Sequence, residues 1–132
     1  MNNAIEIHDS EVDAITNVDG SAVLYSSSVY IHKSLGKPGV DAGTGWVQKA
    51  RLTIPDATIK RTFEHFPAEL LGGYLRLGES TFGNLIPIPL HFNGDTELRL
   101  ESWNDQVILI SGRGAELELI DEPTYVEDFR PD

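Results

Sequence analysis

Residues 96–120 read as three successive strands, 96–101, 106–111 and 115–120, with apolar and polar side chains alternating in the outer two. A period of two sends neighbouring side chains to opposite faces of an extended strand, one face meeting a core and the other water. Asn104-Asp105 divides the first two segments and Gly112-Arg113-Gly114 the second two, both turn-forming combinations. The stretch therefore predicts a meander of antiparallel strands.

The same pattern recurs along the chain. Residues 4–9 predict a first strand with Ile5 and Ile7 on one side and Glu6 and His8 on the other. Residues 11–17 read as a second short strand or a single helical turn. Residues 21–32 form a long β-prone run in which Ser26, Ser27 and Ser28 mark a bulge that switches the phase, or in which both faces are covered. Segments 46–54 and 57–63 predict a hairpin about Pro55-Asp56. Residues 70–78 predict a strand kinked at Gly72-Gly73, and Pro87 and Pro89 place residues 85–92 at a sheet edge or in an extended crossing. Asn93-Gly94 signals a hairpin turn. Residues 33–45 and 79–84 read as loops, and the acidic stretch 121–132 as a tail whose Tyr125, Val126 and Phe129 can pack back.

Roughly eight or nine strands result. The expected fold class is all-β, an antiparallel meander in one domain spanning residues 1–132, built as a barrel or a two-sheet sandwich. Meander connectivity favours the barrel, whose narrow interior is filled by side chains or holds one small ligand.

Composition narrows the function. The formal charge is −11, from 21 acids against 10 lysines and arginines. Such a surface repels phosphate backbones, and no basic stripe offsets it, so nucleic-acid binding is not expected. With no cysteine there is no disulfide framework, thiolate metal site or cysteine nucleophile. The first residues lack the basic start and apolar core of a signal peptide, and no apolar run approaches the ~20 residues of a membrane helix. A soluble, cytoplasmic protein is expected.

Motifs for catalysis do not assemble. His8, His32, His65 and His91 show no H-x-H or H-x-x-x-H spacing, which leaves only a set drawn from distant strands, such as His8, His32 and His91. Asp9, Glu11 and Asp13 would share one side of an extended chain and offer calcium hard oxygens, yet no calcium loop follows. Their ordinary role is to hydrogen-bond turn backbone. Gly36-Lys37 lacks the remainder of a phosphate loop, since Ile31 and Pro38 stand where glycine and a hydroxyl are required. The three serines do not lie on a nucleophile elbow. The chain is read as a non-enzyme without metal or cofactor.

Five residues stand out for ligand binding. Arg61 shares parity with Ala57, Ile59 and Phe63, so a regular strand aims it inward, where it needs an acid or an anionic ligand; otherwise it lies where the strand leaves the core. Trp46, Tyr74 and Trp103 offer stacking surfaces, although such aromatics more commonly fill or cap a core. His32 completes the set.

The run His8-Asp9-Ser10-Glu11-Val12-Asp13-Ala14-Ile15, with Gly20 and then Val23-Leu24-Tyr25, resembles a recurring opening of small uncharacterised bacterial domains, some of them toxin-immunity proteins. The predicted topology is similar to streptavidin-like and lipocalin-like barrels, but the lipocalin Gly-x-Trp opening is missing near the N-terminus and Gly45-Trp46 comes a third of the way along. The resemblance implies an immunity-type binder whose acidic surface meets a basic protein. The alternative is a small-molecule carrier with its ligand at the open end of the barrel. Pairing of two copies along residues 85–90 is a further expectation, opposed by the prolines.

Overall fold

The computed structural model describes residues 1–131, and these form eleven strands and no helix. They are β1 (Asn2–Glu6), β2 (Glu11–Val12), β3 (Ala14–Val18), β4 (Ser21–Ser34), β5 (Gly43–Ile54), β6 (Thr58–Arg61), β7 (Ala68–Leu77), β8 (Ser80–Gly83), β9 (Leu85–Ile88), β10 (His91–Ser102) and β11 (Val107–Phe129). All pairings are antiparallel. The hydrogen-bonded path runs β2-β7-β10-β11-β5-β4-β1-β9, with β3 added beside β4, β6 beside β11 and β8 beside β7. No helix among the described residues is long and apolar enough to cross a membrane.

Alternation survives as predicted where a strand has one wet face. In β10, Thr96, Leu98, Leu100 and Ser102 are buried while the residues between them are not. β4 instead buries both faces, as at Val29, Tyr30, Ile31 and His32, and its ladder with β5 slips between Ser26 and Val29. The predicted bulge at the serines is present. It divides β4 into a half paired with β3 and a half paired with β1.

Ile7, Val12, Leu24, Ile54, Leu75, Ile86, Leu98, Ile108 and Ile110 meet in one core. These residues come from both halves of the path, so the sheet wraps around a shared interior. A smaller cluster of Ile5, Val29, Ile31 and Ala50 continues it beneath Trp46.

Several expectations are corrected. The sheet is not closed into a barrel: its path ends at β2 and β9. Residues 107–120 are not two strands about a turn but part of one 23-residue strand, β11. Gly112 and Gly114 serve close approach, because a Cβ at either would strike Pro55 or its neighbours, and neither glycine has a positive φ. The other predicted turn is real: Asp105 takes φ 59° between β10 and β11. Asn93-Gly94 lies inside β10 at a ladder irregularity, with Gly94 at φ 146°. Segments 46–54 and 57–63 form no hairpin, since β5 already has β4 and β11 on its two edges; β6 pairs with β11 instead. The loop 33–45 contracts to residues 35–42, and β8 occupies part of the loop 79–84. Arg61 is exposed, so it lies where its strand leaves the core and Phe63, two residues on, is the buried one.

Ile108 is fully buried and Leu119 is 39% exposed. Ile108→Ala is therefore expected to cost about 2–5 kcal/mol of unfolding free energy, and Leu119→Ala less than about 1 kcal/mol, in urea titrations of each variant. Equal losses would contradict the assignment of Ile108 to the core.

Candidate functional site

Residues 7–18 leave β1, cross to β7 as β2, and return to β4 as β3. Ser10 clamps this crossing. Its buried hydroxyl donates to the Glu6 carbonyl at 2.6 Å and accepts from the Tyr30 amide at 3.0 Å, and its own carbonyl accepts from the Leu70 amide at 3.0 Å. The serines of the bulge finish the attachment. Ser26 donates to the Glu11 carbonyl, and Ser27 places its amide and hydroxyl on Asp13 Oδ1 at 3.1 and 3.0 Å. A buried donor or acceptor left without a partner would cost about 1–3 kcal/mol, which is why so short a strand as β2 is held in place.

The crossing gathers acidic groups. The β2–β7 ladder sets Glu11 directly opposite Glu69. Like charges facing each other across a ladder repel. The Glu11 carboxyl is raised above the usual range first by burial, then by Asp13 and Glu69. Asp9 lies beside Glu6 and His8, with His8 Nδ1 3.3 Å from Asp9 Oδ1 and 3.9 Å from Glu6 Oε2. Glu6 is anchored from below, its Oε1 2.8 Å from Nε2 of buried His32. Nδ1 of the same ring has no partner among the described residues. His32 is held between Tyr30 and Phe129, each ring centroid 4.9 Å away. Tyr30 in turn donates to Glu127 at 2.7 Å, and burial followed by that carboxylate pushes its hydroxyl well above the usual phenol range.

Trp103 closes the arrangement. It follows β10, is 58% exposed, and meets His8 edge-to-face with centroids 5.8 Å apart. Together His8, Asp9, Glu11, Ser28, Glu69 and Trp103 line a cleft of about 350 Å³. Its chemistry is that of a cation receiver: carboxylates on its walls and an exposed indole at its lip. At its edge, Glu6, His8 and Asp9 bring one ligand atom each within 4.8 Å of one another, a set of two carboxylates and one imidazole able to hold a divalent ion.

The five residues singled out from the sequence do not converge. Trp103 lines the cleft, while His32 lies behind it, in contact with Glu6, which neighbours the lining residue His8. Trp46 lies elsewhere on β5, its indole donating to Thr44 at 2.8 Å, packed edge-on against Tyr125 and covered by the Lys33 ammonium at 4.5 Å. Tyr74 donates to Glu97 at 2.6 Å between β7 and β10. Arg61 is exposed at the end of β6 and forms no ion pair among the described residues. Among the histidines proposed as a distant set, His8 and His32 do share Glu6, whereas His91 stands apart beside Glu116 at 3.9 Å. Asp9, Glu11 and Asp13 do not share one ion, since Asp13 turns to Ser27. Glu6, Ser10 and Glu69 were not recognised. The alternation of Glu6 with His8 was the available signal for the first, but nothing local marks Glu69 as the partner of Glu11.

Burial is the largest influence on Glu6, followed by its hydrogen bond with Asp9; together they raise its carboxyl above 4.5 against the opposing pull of His32. A carboxyl whose folded pKa is raised takes up its proton first in the folded state. Its stabilising contribution is complete below the unfolded pKa and is lost as pH rises through the folded one. Wild-type stability relative to Glu6→Gln is therefore expected to fall as pH is raised from about 4.5 toward neutrality, read from urea unfolding at several pH values. A difference that grows with pH would show that His32 outweighs burial.

No family model, curated protein or solved structure matches the chain, and the functional reading rests on these residues.

Proposed function

We propose that the chain is a non-enzymatic binding domain whose acidic cleft captures a cationic side chain of a basic protein partner. The observation that carries this reading is the placement of Glu11 opposite Glu69 beside the exposed Trp103. Two facing carboxylates gain from a cation placed between them, and an indole lip adds cation–π attraction of about 0.5–2 kcal/mol. The net charge of −11 would steer such a partner toward the surface before contact. An immunity-type role in the bacterial cytosol, capturing a basic toxin, uses these features together, and the absence of cysteine suits that compartment. The wrapped, unclosed sheet is read as a barrel derivative rather than a two-sheet sandwich, because one core serves both halves of its path.

An oligolysine peptide is a direct probe. Its binding should quench or shift Trp103 emission in a Trp46→Phe background, and its association rate should fall about tenfold or more between low and high salt. Glu11→Gln combined with Glu69→Gln should weaken binding by about tenfold, and Trp103→Ala by about fivefold. Binding that ignores both salt and these substitutions would refute capture at the cleft.

A further inference from the structure

Behind the cleft the core is not filled. A cavity of about 80 Å³ lies inside the wrapped sheet, walled by Leu24, Ala50, Leu75, Ile86, Leu98 and Leu100 among other apolar side chains. A void needs only about 10–15 Å³ to admit one water, yet an apolar void of this kind offers water no partners and stays dry. Its few polar neighbours, Ser10, Glu11, Tyr25 and Ser26, all belong to the crossing segment and the adjoining part of β4. Two of them, Ser10 and Glu11, also line the acidic cleft. The apolar void and the acidic cleft are thus neighbours that share one wall. That wall includes β2, which is two residues long and is the shortest strand of the sheet.

We propose that cavity and cleft together form a site for a small amphipathic amine, with an alkyl chain or single ring in the cavity and an ammonium group among the carboxylates of Glu11 and Glu69. The inference uses the cation-receiving cleft argued above and goes beyond it in ligand class, because a free amine can carry its whole apolar body into the cavity, whereas the four-methylene stem of a lysine is tethered to its backbone outside. Entry runs past Ser10 and Glu11. The apolar body would replace empty space with van der Waals contacts, while the head stays in the wet cleft and avoids the cost of burying a charge.

The test is calorimetric titration of the full chain with n-alkylammonium ions from methyl to octyl, with n-alcohols of the same lengths, and with oligolysine alongside. Each methylene that enters the cavity is expected to tighten amine binding about fourfold until the chain outgrows the space. Alcohols of equal length should bind at least about tenfold more weakly than the amines. A length dependence with no oligolysine binding supports the amine site and removes the protein partner. Oligolysine binding with a flat amine series leaves the cleft reading intact and overturns the cavity. Alcohols that match the amines overturn the assignment of the head group. Ala50→Leu, which fills the void, should flatten the series, and an unchanged slope in that variant would overturn the proposal. Should Ala50→Leu fail to fold, Leu100→Ala enlarges the same space and should extend the series to longer chains; a series ending at the same length would count equally against it.

Discussion

The backbone ladders of β11 are what the rest of the molecule depends on. Through Val107 to Glu116 this strand pairs with β10, and from Glu116 to Phe129 it pairs with β5, while β6 joins its other edge at Leu109–Ser111. One unbroken strand therefore belongs to both halves of the sheet. Its pairing satisfies the backbone and at the same time drives Ile108 and Ile110 into full burial. Gly112 and Gly114 let Pro55 and Phe92 approach where any side chain would push them away. The two ends of the path are guarded differently. β9 carries Pro87, which cannot donate to a further strand, and β2 stops after two residues.

That arrangement leaves a gap between the halves, and residues 7–13 cross it. The crossing is polar because it is a connection rather than a sheet face, and Ser10 holds it by serving as donor and acceptor at once. The acids of the cleft are set by backbone register. Glu11 faces Glu69 because β2 pairs with β7, and Glu6 leans on His32 because β1 pairs with β4. Burial, and then repulsion from Asp13 and Glu69, raises the Glu11 carboxyl. Beneath the cleft the interior stays apolar, so charge and void meet at a single wall.

Local alternation made the strands legible. Leu98 and Leu100 in β10, Ala50 and Ile54 in β5, and the phase switch at the serines of β4 were all readable, since each depends on which face of a strand a side chain takes. Turns were legible only where turn chemistry had one use. Asn104-Asp105 does turn the chain, but Asn93-Gly94 and Gly112-Arg113-Gly114 lie within strands, because glycine also serves bulges and close contacts. Of the site, residue type and alternation point to Trp103, His32 and Glu6. They point with equal reason to Trp46, Tyr74 and Arg61, which lie elsewhere. Side-chain type alone does not distinguish an aromatic at a cleft from one that covers a sheet.

By itself, the order of residues determined an acidic, all-β chain of antiparallel strands, since strand formation and charge are local or summed properties. Only the tertiary structure decided that the sheet stays open, that β6 pairs with β11 rather than β5, and that Glu11 meets Glu69. Those outcomes depend on which edges are still free when distant strands come together, a competition among segments up to the length of the chain apart that no local pattern records.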